Sequence, residues 1–359
     1  ELYPCGPSPG DVMSYVPRRK LRIVVLVHED LVPPDSIDGI SDEEMAPWKM
    51  EYDVIATLRD MGHQVHPVGV YSDLGVIRNA IEQTRAHICF NLLEEFHGQA
   101  LYDQHVVSYL ELMRQPYTGC NPRGLTLAHD KALSKKVLAY HRIRVPNFAV
   151  FPMGRRVRRP AKLHFPLLVK SLTEEGSVGI SQKSLVHDDE GLAERVKFIH
   201  RQVQTDAIAE QYIDGRELYV GVLGNHRLMT LPPWELIIQR LPEGAPRIAT
   251  EKLKWDYKYQ KRVGVVTRAA RNLPAGLETR IAHLSRRIYR ILSLSGYARL
   301  DFRLTDDGEL YLIEANPNPN LAYGEDFAES AHYAGIGYEE LLQRILNLGL
   351  GYHRRATRE

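Results

Sequence analysis

Short apolar runs alternate with helical spacing over the first third of the chain. Residues 21–27 read LRIVVLV, a continuous apolar run that predicts a strand buried on both faces. Across residues 48–61 the apolar positions recur on one side of a helix, and Gly62 is typical of a helix end. Residues 63–70 and 86–93 are predicted as two further strands. This order of strand, helix and strand predicts a parallel α/β sheet.

The remaining chain combines helical patterns with paired strands. Residues 125–140 and 338–348 are predicted as helices. An Asp-Gly pair between two alternating runs is a strong short-range signal for a β-hairpin. That signal predicts two antiparallel hairpins, over residues 207–223 with the turn at 214–215 and over residues 297–315 with the turn at 307–308. The middle and C-terminal parts are therefore expected to be α+β.

The second hairpin brings two carboxylates together. A two-residue turn at 307–308 sets Asp306 opposite Glu309 and, further along the ladder, Asp301 opposite Glu314. Directly opposite Cβ atoms lie about 5 Å apart. Two carboxylates this close repel each other, so either one takes up a proton or a cation lies between them.

The same register predicts a magnesium site. Arg299 and Asn316 fall opposite each other on the face that carries Asp301 and Glu314. Mg²⁺ prefers oxygen ligands and accepts one or two carboxylates together with phosphate oxygens. The alternative is a solvated strand face, because the other face is core-like, with Leu300, Phe302, Leu304, Ile313 and Ala315.

Composition narrows the classes of protein. The 359 residues include 46 basic and 45 acidic side chains, and a net charge of +1 gives no bulk electrostatic case for nucleic acid or membrane binding. We find no apolar run of about 18 residues and expect no membrane span. Cys5, Cys89 and Cys120 have no metal-ligand spacing, which favours the reduced cytoplasm. Residues 1–20 lack the apolar core of a signal peptide and are expected to form an extended arm.

Seven segments in order carry a family resemblance. They are CFNLLEEFHG (89–98), QPYTGCNP (115–122), HDKALSKKVL (129–138), FPLLVKSLTEEGSVGIS (165–181), IAEQYIDGRELYVGVLG (208–224), KWDYKYQKR (254–262) and YARLDFRLTDDGELYLIEANPNPN (297–320). Together they resemble the ATP-grasp superfamily, in its D-alanine–D-alanine ligase-like branch, over roughly residues 21–350.

The resemblance implies a three-domain ATP-grasp fold. It has an N-terminal parallel-sheet domain, and ATP is held between a central and a C-terminal α+β domain. The expected limits are 1–20 for the arm, 21–122, 123–212 and 213–353 for the three domains, and 354–359 for a tail. The family also implies ATP and Mg²⁺ as cofactors, with Mn²⁺ as an alternative ion, and a homodimer.

The resemblance further implies roles in nucleotide binding. Lys131 and Lys170 match the lysines that hold the ATP phosphates. Glu217 matches the acid that binds the ribose. A glycine-containing loop is expected to cover the phosphates, with Glu175, Gly176, Ser177 and Val178. A linker is expected to surround adenine, with Glu210, Gln211, Tyr212 and Ile213.

Catalytic roles follow from the same resemblance. Asp301, Glu314 and Asn316 match the Mg²⁺ ligands, which agrees with the register argument. Arg299 matches the arginine that stabilises negative charge at the reacting carbonyl. Four residues are thus candidates for catalysis. Lys170 is expected at the phosphates and Ser177 in the glycine-containing loop, while Arg299 is expected at the reacting carbonyl and His97 on the substrate side.

Several positions depart from the family pattern. Glu325 stands where the family has a serine that binds the carboxylate of the second D-alanine. An acid at this position repels a carboxylate. Gly176 stands where the family has a second serine in the glycine-containing loop. Residues 318–320 stand where the family has a Ser-Pro-Gly turn, and the backbone N–H of Asn320 is a candidate oxyanion donor there. A basic stretch replaces a lysine–tyrosine pair: Lys252, Lys254, Lys258, Lys261 and Arg262.

These features predict an ADP-forming carboxylate–amine ligase that works through an acyl phosphate. The expected substrates are an amino acid or small acid and an amine, rather than two D-alanines. Asn320, Glu325, Lys258 and Lys261 are the candidate substrate residues. Two alternatives remain open: an ATP-grasp kinase or ligase with a thiol or hydroxyl nucleophile, and a non-catalytic nucleotide-binding protein.

Overall fold

A parallel three-stranded sheet begins the fold. The computed structural model describes residues 20–174, 179–240, 248, 250 and 256–356. Strands β1 (Arg22–His28), β2 (Gln64–Val70) and β3 (Ile88–Asn91) are parallel, in the order β2-β1-β3. This confirms the predicted parallel sheet. Its helices are α1 (Asp42–Met45), α2 (Lys49–Asp60), α3 (Leu74–Thr84) and α4 (Asp103–Leu112).

The helical pattern predicted over residues 125–140 is present, but one residue interrupts it. Two helices stand there, α5 (Pro122–His129) and α6 (Lys131–Tyr140). Asp130 between them is extended, and its carboxylate accepts hydrogen bonds from the backbone N–H groups of Ala132 and Leu133. A side chain that caps a new helix competes with continuation of the previous one, so α5 ends at His129 and α6 begins at Lys131.

The central sheet is antiparallel. Its strands are β4 (Phe148–Phe151), β5 (Leu167–Ser171), β6 (Leu185–Val186) and β7 (Ala207–Gln211), in the order β4-β7-β5-β6. Helix α7 (Asp189–Phe198) packs on it and runs on through a π-helical turn at Ile199–Val203.

The third sheet is larger. Its strands are β8 (Arg216–Leu223), β9 (Met229–Thr230), β10 (Trp234–Ile238), β11 (Val265–Ala269), β12 (Tyr297–Leu304) and β13 (Leu310–Pro317). The order is β11-β10-β8-β12-β13, with β9 paired to β8. Its helices are α8 (Tyr257–Val263), α9 (Leu277–Ile291), α10 (Asp326–Tyr333) and α11 (Tyr338–Ala356). Helix α11 runs past residues 348 and 353, where the sequence predicts its end and the start of a tail.

The hairpin predicted over residues 207–223 is wrong. Strand β7 pairs with β4 and β5 in the central sheet, so neither of its edges is free for β8, which pairs with β10 and β12. Gly215, with φ of +144°, carries the chain from one sheet to the other. A Cβ atom there would lie 2.2 Å from the carbonyl oxygen of Leu304. The Asp-Gly pair therefore serves a close backbone approach rather than a two-residue turn.

The hairpin of β12 and β13 has the predicted pairs but a different turn. Asp301 pairs with Glu314 and Arg299 with Asn316, as predicted. The loop is three residues long rather than two, because the N–H of Thr305 donates to the carbonyl of Glu309. A β-bulge between Asp301 and Phe302 then shifts the register back by one residue.

The bulge also changes the environment of one predicted core residue. Ile313, the extra residue of the bulged strand, is half-buried and lines a cleft. The other four residues of that face are buried as predicted: Leu300, Phe302, Leu304 and Ala315. No helix among the described residues is long and apolar enough to cross a membrane.

Candidate active site

A cleft lies between the central and the third sheet. The central sheet contributes Leu168 and Lys170, and the third sheet contributes Phe302 and Ile313. Besides Lys170, five more residues predicted to contact the nucleotide line the same cleft, namely Glu210, Gln211, Tyr212, Ile213 and Glu217. Its lining combines apolar side chains with converging charged groups, as expected of a site for a polar small molecule.

A buried ion triad closes the inner end of this cleft. Lys135 Nζ lies 2.8 Å from Glu210 Oε1, and Lys170 Nζ lies 3.1 Å from Glu210 Oε2. Burial alone raises the pKa of Glu210, but the two ammonium groups outweigh it and hold that pKa below its ordinary value. Burial works in the opposite direction on Lys170, and the attraction of Glu210 and Glu314 raises its pKa. Lys170 is therefore charged and available to an anion in the cleft.

Lys131 holds the first of the predicted metal ligands. Its ammonium lies 2.9 Å from Glu314 Oε1 and donates to the carbonyl oxygen of Glu174 at 2.6 Å. Burial raises the pKa of Glu314, but Lys131, followed by Lys170, outweighs burial and holds that pKa well below its usual range. Glu314 is thus a carboxylate at any physiological pH.

Arg299 holds the second of the predicted metal ligands, Asp301. Its guanidinium donates two hydrogen bonds to Asp301, at 2.8 and 3.0 Å, and lies over the Tyr219 ring. Asn316 donates to Asp301 Oδ2 at 2.9 Å. Burial lowers the pKa of Arg299, but Asp301 outweighs burial and raises it. Arg299 and Asn316 therefore both hold Asp301, and Asp301 is the ladder partner of Glu314.

A separate ion pair fixes the acid predicted to bind ribose. Arg303 donates to Glu217 Oε2 at 2.6 Å, and the Tyr219 hydroxyl donates to Glu217 Oε1 at 2.7 Å. Arg303 also donates to the carbonyl of Gly215, at 3.0 Å, where the chain crosses between the sheets. These bonds hold the Glu217 carboxylate at the side of the cleft.

The other predicted residues lie outside this cluster. The His97 ring stacks on Tyr71 at the carboxyl edge of the first sheet. Lys258 and Lys261 are exposed on α8, and Lys258 lies 3.7 Å from Glu43 of the N-terminal region.

Candidate residues near the end of β13 are also exposed. The side chain of Asn320 accepts from the N–H of Ala322, and Glu325 occupies the N-cap position of α10. The glycine loop, Glu175, Gly176, Ser177 and Val178, lies outside the described residues, as do Lys252 and Lys254.

Two residues of the site were missed by the sequence predictions. Lys135 lies one helical turn after Lys131 and so faces the same way, a spacing that signals a shared site. Arg303 lies two residues after Asp301 on β12, and its partner Glu217 is opposite it on β8. Asp326, beside Glu325, approaches Arg299 to 3.9 Å.

Comparison with known proteins assigns the family. Residues 137–347 match the family described as the D-Ala–D-Ala ligase C-terminus. The chain is 32% identical to an uncharacterised protein, y4sG, of Sinorhizobium fredii, over 86% of this chain and 90% of that protein. It is 30% identical to a D-alanine–D-alanine ligase of Syntrophotalea carbinolica, over 86% and 92% of the two chains.

Solved structures agree on the fold. The D-alanine–D-alanine ligase of Bacillus anthracis, determined with ATP, superposes with a TM-score of 0.72 at 24% identity, over 94% of this chain and 99% of that one. The fold is that of the ATP-grasp ligases. The chain belongs to the D-alanine–D-alanine ligase-like branch of that superfamily.

ATP and Mg²⁺ are the cofactors of this family, and the residues present fit both. Within the described residues no group of three or more His, Cys, Asp or Glu side chains is arranged to hold a metal. The candidate set is instead two carboxylates and one amide, Asp301, Glu314 and Asn316, which suits Mg²⁺ that completes its shell with phosphate oxygens. Lys131 lies beside Glu314 and Lys170 lines the same cleft, so both could hold those phosphates.

The ion pairs predict competition between Lys131 and the metal. Mg²⁺ entering alone must displace Lys131 from Glu314, so Lys131→Met is expected to bind Mg²⁺ about tenfold more tightly than the unchanged protein when ATP is absent. Calorimetry with MgCl₂ measures this directly. Lys136→Met, exposed on the same helix, is the matched control. Weaker Mg²⁺ binding by Lys131→Met would contradict the competition.

Proposed function

We propose that the chain is an ADP-forming carboxylate–amine ligase that works through an acyl phosphate and joins a substrate pair other than two D-alanines. The observation that carries this proposal is the pairing of Asp301 with Glu314, each held by a cation, Arg299 or Lys131. That arrangement provides both a metal site and the positive charges that phosphoryl transfer needs.

The first step is transfer of the γ-phosphoryl group. A substrate carboxylate oxygen attacks the γ-phosphorus of ATP, an acyl phosphate forms and ADP leaves. Lys131 and Lys170 offset the negative charge on the transferred group, and burial of both makes their charge more effective than it is in water. Bound Mg²⁺ supplies further charge neutralisation at the phosphate oxygens.

The second step is acyl transfer. The amine attacks the acyl carbon and gives up a proton, a tetrahedral oxyanion forms, and inorganic phosphate leaves as the amide forms. The guanidinium of Arg299 is fixed by Asp301 and Tyr219 before the reaction begins, so it needs little reorganisation to stabilise the oxyanion.

Acidic side chains support a substrate pair other than two D-alanines. Glu325 stands where the family has the serine that binds a carboxylate, and Asp326 adds a second acid 3.9 Å from Arg299. Two carboxylates repel a carboxylate-bearing nucleophile and attract a cationic one. We therefore assign the nucleophile to the class of amines without an adjacent free carboxylate.

The test is ADP release from Mg·ATP with a panel of amino acids, dipeptides and small acids, each paired with an amine. Release that requires both a carboxylate and an amine, with an amide product, supports the proposal. Release with a thiol or hydroxyl acceptor, or phosphorylation of the substrate alone, supports a different ATP-grasp reaction. ATP binding without release from any pair supports a binding protein, and no ATP binding overturns the proposal.

Glu325→Ser is expected to change the choice of nucleophile. Removing the acid should raise kcat/KM for D-alanine relative to its decarboxylated analogue ethylamine, by about tenfold or more, since one charge contact is removed. Competition between the two amines for one acyl phosphate measures the ratio. Glu339→Ser, an exposed acid at the start of α11, is the control. An unchanged ratio would remove Glu325 from substrate selection.

A further inference from the structure

Arg195 is a buried cation on α7. It is 7% exposed, and its Nε atom has no hydrogen-bond partner among the described residues. Within that part of the chain it forms no ion pair with a carboxylate, and burial lowers its pKa. The guanidinium nonetheless stays charged at any physiological pH. A buried charge without a counter-ion costs stability, so its presence indicates a role other than stability.

The guanidinium of Arg195 holds one peptide group. Its Nη2 atom donates to the carbonyl oxygen of Gly179, and its carbon lies 4.1 Å from the centre of the Phe198 ring. A hydrogen bond with a charged donor is roughly twice as strong as one between neutral groups. Arg195 therefore fixes the peptide that joins Gly179 to Ile180.

Gly179 packs against the end of the helix that carries Arg195. Its φ is +70°, a conformation that residues with a side chain rarely adopt. A Cβ atom there would lie 3.0 Å from Val203 Cγ2 and 3.4 Å from Ile199 Cδ1, and both residues belong to the π-helical turn after α7. Turns of this kind are frequent at functional sites. The π-helical turn and Arg195 thus hold the same peptide.

This peptide forms part of the cleft between the central and the third sheet. Ile180 lines the cleft together with Lys170. The next residue is also held, because the N–H of Ser181 donates to Ser184 Oγ at 3.0 Å in a capping box. Ile180 is therefore fixed on both sides, by Arg195 before it and by the capping box after it.

We propose that Arg195 is a positioning residue for nucleotide binding, which holds the Gly179–Ile180 peptide so that Ile180 forms a fixed part of the cleft wall. The inference rests on the proposed function in one respect, namely that ATP binds in this cleft. A wall that is ordered before the nucleotide arrives loses little conformational entropy on binding, so the affinity for ATP is higher. Without Arg195, that entropy would be lost when the nucleotide binds.

The test is a calorimetric titration with a non-hydrolysable ATP analogue in the presence of Mg²⁺. Arg195→Met removes the charged donor and should raise the Kd about tenfold, as the loss of one charge-assisted hydrogen bond implies. Arg195→Lys keeps a charged donor and should bring the Kd back to within about threefold of the unchanged protein. Lys197→Met, exposed on the same helix, is the matched control and should leave the Kd unchanged.

Gly179→Ala tests the same contact from the peptide that is held. A Cβ atom at this position meets Val203 and disfavours the φ of +70°, so the peptide has to move. The Kd for the ATP analogue should therefore rise by about tenfold although Arg195 is intact. Urea unfolding in the absence of ligand checks that each variant is folded.

Two results would overturn the positioning role. One is an unchanged Kd in Arg195→Met or in Gly179→Ala. The other is a rise in Kd in Arg195→Met that Arg195→Lys does not reduce, which would show that the side chain only fills space. If the unchanged protein binds the analogue under either result, the ligase proposal stands and the positioning role alone fails. An unchanged protein that does not bind the analogue overturns both.

Discussion

Glu314→Gln is expected to lower the rate of ADP formation by roughly a thousandfold, even at saturating ATP. The substitution keeps the shape of the side chain but removes the charge of one proposed metal ligand, and it leaves Lys131 without its carboxylate partner. Loss of several kcal/mol of charge stabilisation in the transition state corresponds to three powers of ten in rate. Single-turnover measurement of ADP with a productive substrate pair separates this chemical step from product release.

Asp306→Asn provides the matched control for Glu314→Gln. It removes one charge from the same hairpin, at an exposed position in the turn, and should leave the rate of ADP formation within about twofold of the original. Asp301→Asn should behave like Glu314→Gln. If Glu314→Gln keeps more than about a tenth of the rate, the acidic pair does not hold the catalytic metal.

Lys135→Met is expected to have the largest effect on stability. Lys135 is 2% exposed, and its ammonium bridges Glu210 and the carbonyl oxygen of Ile313, the bulged residue that precedes Glu314. Its loss leaves a buried carboxylate with one cation and a buried carbonyl without this donor. Breaking a buried pair in this way typically lowers the free energy of unfolding by about 3–5 kcal/mol. Urea unfolding of the variant and the unchanged protein measures this difference in the free energy of unfolding.

The same variant should raise the KM for ATP, because the bulge that orients Glu314 loses its support. Lys136→Met, the exposed neighbour on the same helix, should change the free energy of unfolding by less than about 0.5 kcal/mol. A Lys135→Met protein that unfolds within about 1 kcal/mol of the original would show that Lys170 alone satisfies Glu210.

The acidic pair could be predicted because two structural details compensate. The sequence predicts a two-residue turn, whereas the loop has three residues, an error of one position in the ladder. The bulge between Asp301 and Phe302 shifts the register back by one residue, so Asp301 still pairs with Glu314. The alternation of charged and apolar residues is fixed on each side of the bulge by burial of Leu300 and Phe302, so the pattern identifies the site face even though the turn is wrong.

Features that depend on distant parts of the chain could not be predicted in this way. An Asp-Gly pair signals a turn locally, but whether β7 pairs with β8 depends on β4 and β5, which occupy both edges of β7. Lys135 is an ordinary lysine in the sequence, and only the approach of Glu210 and Ile313 makes it part of the site. The parallel sheet was predictable because β1 and β3 are marked by continuous apolar runs and α2 by helical spacing.

The crossing at Gly215 leaves a single short linker between the two walls of the cleft. The two walls of the cleft belong to different sheets, and the chain joins them through one short linker, residues 212–215, between β7 and β8. A ligand bound in the cleft would contact both walls and the linker at once, so we expect it to restrict their relative movement. The distance between fluorophores placed on the two sheets should therefore report nucleotide occupancy before any chemistry takes place.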